Sequence, residues 1–253
     1  DVDKGELLQK LSVFDAWSGG DVAAAQYKPF PDTGSTKIYL VDRPGSAQSE
    51  IRIGKRALNY DATGQYYRAG LANLALGGNS NARINQNIRE DKGYTYGAYS
   101  FFSGGRDFGS YTAYAAVRSD VTGASIVEFE NEIRGYAENG MTEEELAYTR
   151  RAVGQRDARR YETPTQKLAF IAQILEYDLP DNFVDEQNRI LVEIGRDELN
   201  AVAKKFLPMD EMIIVVVGDK QTILPELKAL GYDIVELDED GNPITLMPTN
   251  TWC

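Results

Sequence analysis

Apolar residues recur along this chain with a period near four in some stretches and two in others, and the alternation lays out its elements. Leu7, Leu11 and Phe14 stand at i, i+4 and i+7, which predicts an amphipathic helix over residues 6–17. A polar stretch with Gly19, Gly20, Pro29, Pro31 and Gly34 follows and reads as a linker. From Thr36 the period becomes two. Ile38 and Leu40 mark one strand, Ile51 and Ile53 the next, and the turn Arg43-Pro44-Gly45 between them suggests an antiparallel pair. Asp61 is expected to cap a helix carrying Tyr67, Leu71 and Leu74, which Gly77-Gly78 terminates.

The stretch Asn79 to Tyr99 packs several features together. Ile84 and Ile88 lie one helical turn apart, Gly93 stops the helix, and a Tyr-rich strand follows. Gly-Gly at 104–105 then turns that strand into a second one, Phe108 to Val117.

Helical periodicity dominates the second half. Ile126, Phe129, Ile133 and Tyr136 line one helix that ends at Gly140. Thr142 with Glu145, and Thr163 with Gln166 and Pro164 between them, form two capping boxes that start further helices. Leu168, Ile171 and Leu175 read as the buried stripe of the second of these, and Leu199, Val202 and Phe206 as that of a later helix. Met212 to Val217 reads as a fully buried strand, Leu224 to Leu230 as a short helix and Asp233 to Leu237 as an edge strand.

Hairpins, helices and a closing strand-helix-strand imply an α+β domain, a mostly antiparallel sheet with helices packed on one face. Residues 1–35 are expected to be a terminal helix and linker from a preceding domain, 36–237 the main domain, and 238–253 an acidic, mobile tail.

Composition narrows the chemistry. The net charge of -12 speaks against a nucleic-acid partner, since phosphate binding needs an excess of clustered Lys and Arg. No apolar run reaches the roughly 18 residues of a membrane span. There is no His at all, which removes the commonest general base and zinc ligand. The single Cys, Cys253, can form neither an internal disulfide nor a thiolate metal cluster. Ser-His-Asp and Cys-His sites are thereby excluded, and neither a G-x-S-x-G elbow nor a phosphate-binding loop occurs. Glu143, Glu144 and Glu145 are explained by a helix first turn, and no spacing singles out a pair of catalytic carboxylates.

One pair of side chains has a second reading. Arg89 at the helix end and Tyr96 just inside the strand bring a guanidinium and a phenol to one corner, where together they could bind a polar backbone. On spacing alone, a helix-terminal charge and a half-buried strand residue account for them at least as well.

Three separated segments carry a resemblance. K-I-Y-L-V-D-R-P-G-S-A-Q-S-E-I-R-I-G at 37–54, L-A-L-G-G-N-S-N-A-R-I-N-Q-N-I-R-E-D-K-G-Y-T-Y at 74–96 and T-E-E-E-L at 142–146 are similar, in this order, to the C-terminal domain of pitrilysin/insulinase-type zinc peptidases, which include the mitochondrial processing peptidases. The resemblance implies a closed-chamber peptidase whose zinc sits on an H-x-x-E-H motif in another domain or subunit. This chain would hold no catalytic residue and no metal of its own. It implies further that Arg89 and Tyr96, seven residues apart, bind the peptide substrate and stabilise the developing oxyanion. The envelope or periplasm of a Gram-negative bacterium is the expected location ahead of the cytoplasm. The alternative within the same fold is a proteolytically inactive structural or interaction subunit.

Overall fold

A computed structural model of the chain describes residues 3–23, 25–27, 34–158 and 161–244. Pro29 and Pro31 of the expected linker, Cys253 and the tail beyond Ile244 lie outside these residues. The chain divides into two units, Asp1–Asp32 and Thr33–Cys253.

The first unit is a helix α1, Lys4–Leu11, continued by a 3-10 turn over Ser12–Ala16. Asp3 caps it by accepting from the Glu6 N–H at 3.0 Å. Leu7, Leu11 and Phe14 of the expected apolar face are exposed, and nothing in the helix is buried.

The second unit is built on one six-stranded sheet: β1 (Ile38–Asp42), β2 (Gln48–Ala57), β3 (Thr95–Gly104), β4 (Gly109–Arg118), β5 (Ile213–Gly218) and β6 (Ile234–Leu237), in the order β3-β4-β2-β5-β1-β6. The three pairings from β3 to β5 are antiparallel, whereas β1 runs parallel to both β5 and β6. The expected antiparallel pairing of β1 with β2 is therefore wrong. β5 lies between them, and the turn at Arg43–Ser46 carries the chain over it, Arg43 N–H bonding to Gly218 O at 2.7 Å. A short link suggests a hairpin, but a strand from late in the sequence takes the inner place. β5 is also not buried on both faces: it alternates, with Ile214 and Val216 inward and Val215 and Val217 half-buried on the other side.

Helices cover one face. Ile51, Ile53, Ala113, Ala115, Val117, Ile214 and Val216 point into a core with Leu71 and Leu76 of α2 (Gln65–Leu76) and Ile126, Phe129, Ile133 and Tyr136 of α4 (Thr122–Asn139). The remaining helices are α3 (Arg83–Asn85), α5 (Glu143–Ala158), α6 (Pro164–Tyr177), α7 (Phe183–Glu193), α8 (Arg196–Phe206) and α9 (Lys220–Ala229). Tyr136, buried hydroxyl included, donates to Ala72 O at 2.6 Å, so a large apolar body is accommodated without an orphaned polar atom.

The helix ends show which local signals decide. Both capping boxes form: Thr142 and Glu145 exchange bonds at 2.7 and 3.2 Å, and Thr163 and Gln166 at 2.9 and 3.2 Å. Asp61 is not the cap of α2. Its carboxylate accepts from Thr63 and Gly64 N–H in a turn, and Gly64 takes the cap position instead. At the other end of α2, a Cβ on Gly77 would stand 2.3 Å from Ser100 Oγ, so glycine is what lets the helix end meet β3, where Ser100 N–H bonds to Gly77 O.

α6 departs furthest from expectation. Leu168, Ile171 and Leu175, read as a buried stripe, are 66%, 52% and 72% exposed. The helix is instead held by its other side, Phe170, Gln173 and Tyr177, against Phe183 and Tyr60. Beyond β6, Asp238 gathers the N–H groups of Asp240 and Asn242, and Ile244 N–H returns to Glu236 O, so the chain turns back on the edge strand.

Candidate functional site

Arg89 and Tyr96 are set by two local irregularities that meet where the segment after α3 packs on β3. The chain enters through Ala82 into α3, a single turn, and then widens into a π-helix over Gln86–Asp91. The widening shows in the backbone bonds: Lys92 N–H reaches back five residues to Asn87 O at 3.0 Å, and Tyr94 N–H reaches Ile88 O. Ile84 and Ile88 both remain fully buried. Ile88 stays inward within the wide turn while the next residue, Arg89, is exposed. Such widened turns are costly, and they persist where surrounding structure holds them.

Here α4 supplies the hold. Asn87 Nδ2 donates to Glu128 at 3.0 Å and to Glu132 at 2.8 Å, and Lys92 Nζ pairs with Glu128 at 2.9 Å. Glu128 thus grips the π-turn at both ends. Partial burial works to raise its pKa, and the Lys92 and Asn87 hydrogen bonds outweigh this, leaving it below the ordinary carboxylate range.

Gly93, at a φ of 64°, reverses the chain into β3. There the second irregularity follows. Thr95 lies opposite Val117 and Ala98 opposite Ala115, so β3 carries one residue more than β4 across the Tyr96-Gly97 step, a β-bulge. Side chains hold the bulge together. Thr95 Oγ1 donates to Ala116 O at 2.6 Å and accepts from Gly97 N–H, while Ala98 N–H donates to Asn85 Oδ1 at 3.1 Å. Asn85 is completely buried and also gives Nδ2 to Ser80 O at 2.7 Å, so one amide ties α3 to the bulge.

The result is two polar groups with little to do in the folded domain. Tyr96 is 91% exposed, and among the described residues its hydroxyl has no hydrogen-bond partner. The Arg89 side chain is 43% exposed and among the described residues pairs with Glu90 alone, at 3.3 Å, an exposed neighbour pair of the kind that contributes little to stability. The expectation of a half-buried strand Tyr does not hold. A strand Tyr that packs on nothing, at a bulge, is presented outward. A guanidinium and a phenol offer several donors, enough to bind carbonyl oxygens or an oxyanion, and neither brings a carboxylate or an imidazole. No group of three or more His, Cys, Asp or Glu side chains among the described residues could hold a metal ion, and Glu143 and Glu145 sit in a helix first turn as capping predicts.

Asn85, Asn87, Thr95 and Glu128 are the residues that sequence reasoning missed. Two weak signals were present. Asn is a poor helix former, yet Asn85 and Asn87 flank Gln86 in the middle of a helical pattern. Gly97 stands alone inside a strand pattern, a mark of a bulge.

Comparison with known proteins bears on the chain as a whole. The family model described as "Peptidase M16 inactive domain" matches residues 1–153. A curated protein of Streptomyces coelicolor, named an uncharacterized zinc protease, is 29% identical over 157 residues, which are 60% of this chain and 34% of that protein. Among solved structures, a peptidase M16 inactive domain from Pseudomonas fluorescens superposes with a TM-score of 0.74 at 23% identity, covering 86% of this chain and 51% of that one. A protease from Helicobacter pylori also gives a TM-score of 0.74, at 14% identity, covering 86% and 53%. The chain thus spans about half the length of the structures it matches and a third of the curated relative.

Proposed function

The chain belongs to the peptidase M16 inactive-domain family, and we propose that it orients peptide substrates for a zinc peptidase whose metal is held elsewhere, on an H-x-x-E-H domain or subunit. What supports this reading is that Arg89, on the π-turn, and Tyr96, on the bulge that follows it, are both exposed while neighbouring side chains brace the two irregular segments. In this reading Arg89 donates to a carbonyl of the extended peptide, and its charge and geometry suit a bidentate grip. Tyr96 donates its hydroxyl toward the scissile carbonyl. As that oxygen gains charge in the transition state, the bond from Tyr96 strengthens, which lowers the barrier more than it favours the bound substrate. Zinc, when bound in its own domain, supplies the activation of water. This chain, with no His and no base at the corner, binds and orients.

The test is cleavage of a fluorogenic peptide by the complete protease. Tyr96→Phe should lower kcat by ~10²-fold or more with little change in KM, the range expected for one oxyanion donor. Arg89→Ala should raise KM, and Arg89→Lys should restore only part of it because the planar fork is lost. Turnover unchanged in both Arg89→Ala and Tyr96→Phe would refute the role.

A further inference from the structure

We infer that the outer face of α6 is a docking surface for the zinc-bearing half of the protease. α6 carries two apolar faces. Phe170, Gln173, Ile174 and Tyr177 form the side that packs on the domain, through Tyr60 at 4.0 Å from Tyr177 and Phe183 at 5.5 Å from Phe170. Leu168, Ile171, Ala172 and Leu175 repeat the same i, i+3, i+4, i+7 spacing two residues away, about 200° round the helix, and lie open. A helix that is apolar on both sides is one that sits between two bodies. The open stripe carries no charged side chain, so it resembles the core of a stable interface more than a solvated surface. The capping box at Thr163 and Pro164 at the first turn fix where the helix starts, so the stripe is presented in a defined register and not by a frayed segment.

Two features choose the occupant. The Pseudomonas fluorescens and Helicobacter pylori structures run to about twice the length this chain covers in them, so each carries a further stretch of comparable size beside the matched part. A second copy of this chain would instead bring two net charges of -12 together, which opposes self-association. The surface therefore fits the remaining half of the protease. The inference rests on the proposed function only in requiring that an H-x-x-E-H half exists, and it is independent of what Arg89 and Tyr96 do.

The experiment places the photo-reactive residue p-benzoylphenylalanine at position 168, and separately at exposed Val127 on α4 as a control, in the protease as its host makes it. After irradiation the adduct is sequenced by mass spectrometry. The expected result is an adduct from position 168 on the body that contains H-x-x-E-H, absent from the control. An adduct on a second copy of this chain, on an unrelated protein, or no adduct at all would overturn the proposal. In parallel, Leu168→Asp combined with Leu175→Asp should weaken association with the zinc-bearing half by at least ~10-fold while the urea midpoint of this domain stays in place. Undiminished association would also overturn it. An adduct that forms as expected while Arg89→Ala leaves turnover unchanged would sink the substrate-orienting role and leave the docking surface standing.

Discussion

Removing the Arg83 guanidinium tests how much of this domain's stability rests on one ion pair near the site. Arg83 Nε donates to Glu145 Oε1 at 2.6 Å and Nη2 to Oε2 at 2.7 Å, a two-pronged pair, and Nη2 also reaches Gly140 O at 3.0 Å. The guanidinium lies 4.9 Å from the centre of the Tyr136 ring. Both side chains are about one-quarter exposed, at 27% and 24%, so the pair is shielded but not sealed. Arg83→Met keeps the apolar stem and deletes the charge. Hydrogen bonds to charged groups contribute about 1.5–3 kcal/mol each, but the two share one carboxylate, and Glu145 keeps its bond from Thr142 N–H, so a loss of roughly 2–3 kcal/mol is expected. With a urea slope of about 2–3 kcal/mol/M, the midpoint should fall by about 1 M at neutral pH. A control sharpens the assay. Arg189 also pairs with a carboxylate, Glu186, at 2.5 Å, yet at 55% and 37% exposure, so Arg189→Met should leave the midpoint unmoved. The pH dependence follows from Glu145. Burial raises its pKa, but bonds from Arg83 and Thr142 more than offset this and hold it below the ordinary value. Its contribution is then present above an unfolded pKa of about 4.3 and is lost as pH falls through the lower folded value. The gap between the natural chain and Arg83→Met should narrow as the solution is acidified past pH 4. Equal midpoint shifts for Arg83→Met and Arg189→Met would refute the burial argument.

Three further outcomes are expected. Gly140→Ala should destabilise by about 1–3 kcal/mol, because Gly140 holds φ 70° and ψ -168° and a Cβ there would fall 2.2 Å from Asn200 Cγ; Gly135→Ala, in the open middle of α4, should stabilise by about 0.5–1 kcal/mol, and thermal melts of the two compare the signs directly. Asn85→Ala should cost about 1–3 kcal/mol by orphaning the buried Ala98 N–H, and amide hydrogen exchange should rise at residues 95–98; exchange unchanged there would mean Asn85 does not hold the bulge. Metal analysis of the purified chain should find no stoichiometric zinc, and a tight site would contradict the assignment of the metal to another domain.

Local signals were the legible ones. Capping boxes at Thr142 and Thr163, the stripe Ile126-Phe129-Ile133-Tyr136 and the Gly104-Gly105 hairpin all stand in the structure because each depends on residues a few positions apart. Strand order was not legible between β1 and β2, since the strand that separates them, β5, comes from about 170 residues further on and pairs Ile38 with Ile214. The α6 stripe failed for a different reason. Periodicity reports that a face is apolar, and nothing in it distinguishes a face covered by its own domain from one covered by another.

The Arg89-Tyr96 corner combines these limits. The residue types and their seven-residue spacing could be read off the chain, yet spacing along a regular helix and strand would not say where either side chain points. Each departs from regularity by one residue, a π-turn before Arg89's exit and a bulge at Tyr96. Two insertions of this kind would be erased by any neighbour free to relax, so the corner needs partners that cannot: Glu128 on α4 for the turn and Asn85 for the bulge. The prediction this makes is specific to coupling. Glu128→Gln loses the ion pair to Lys92 but can still accept from Asn87, and should raise KM without moving kcat if it positions Arg89 alone. Asn85→Ala should act on the Tyr96 side and lower kcat. If both substitutions changed KM and kcat in the same proportion, the two irregularities would not be separate supports, and the corner would be one rigid unit whose loss is simply loss of local structure.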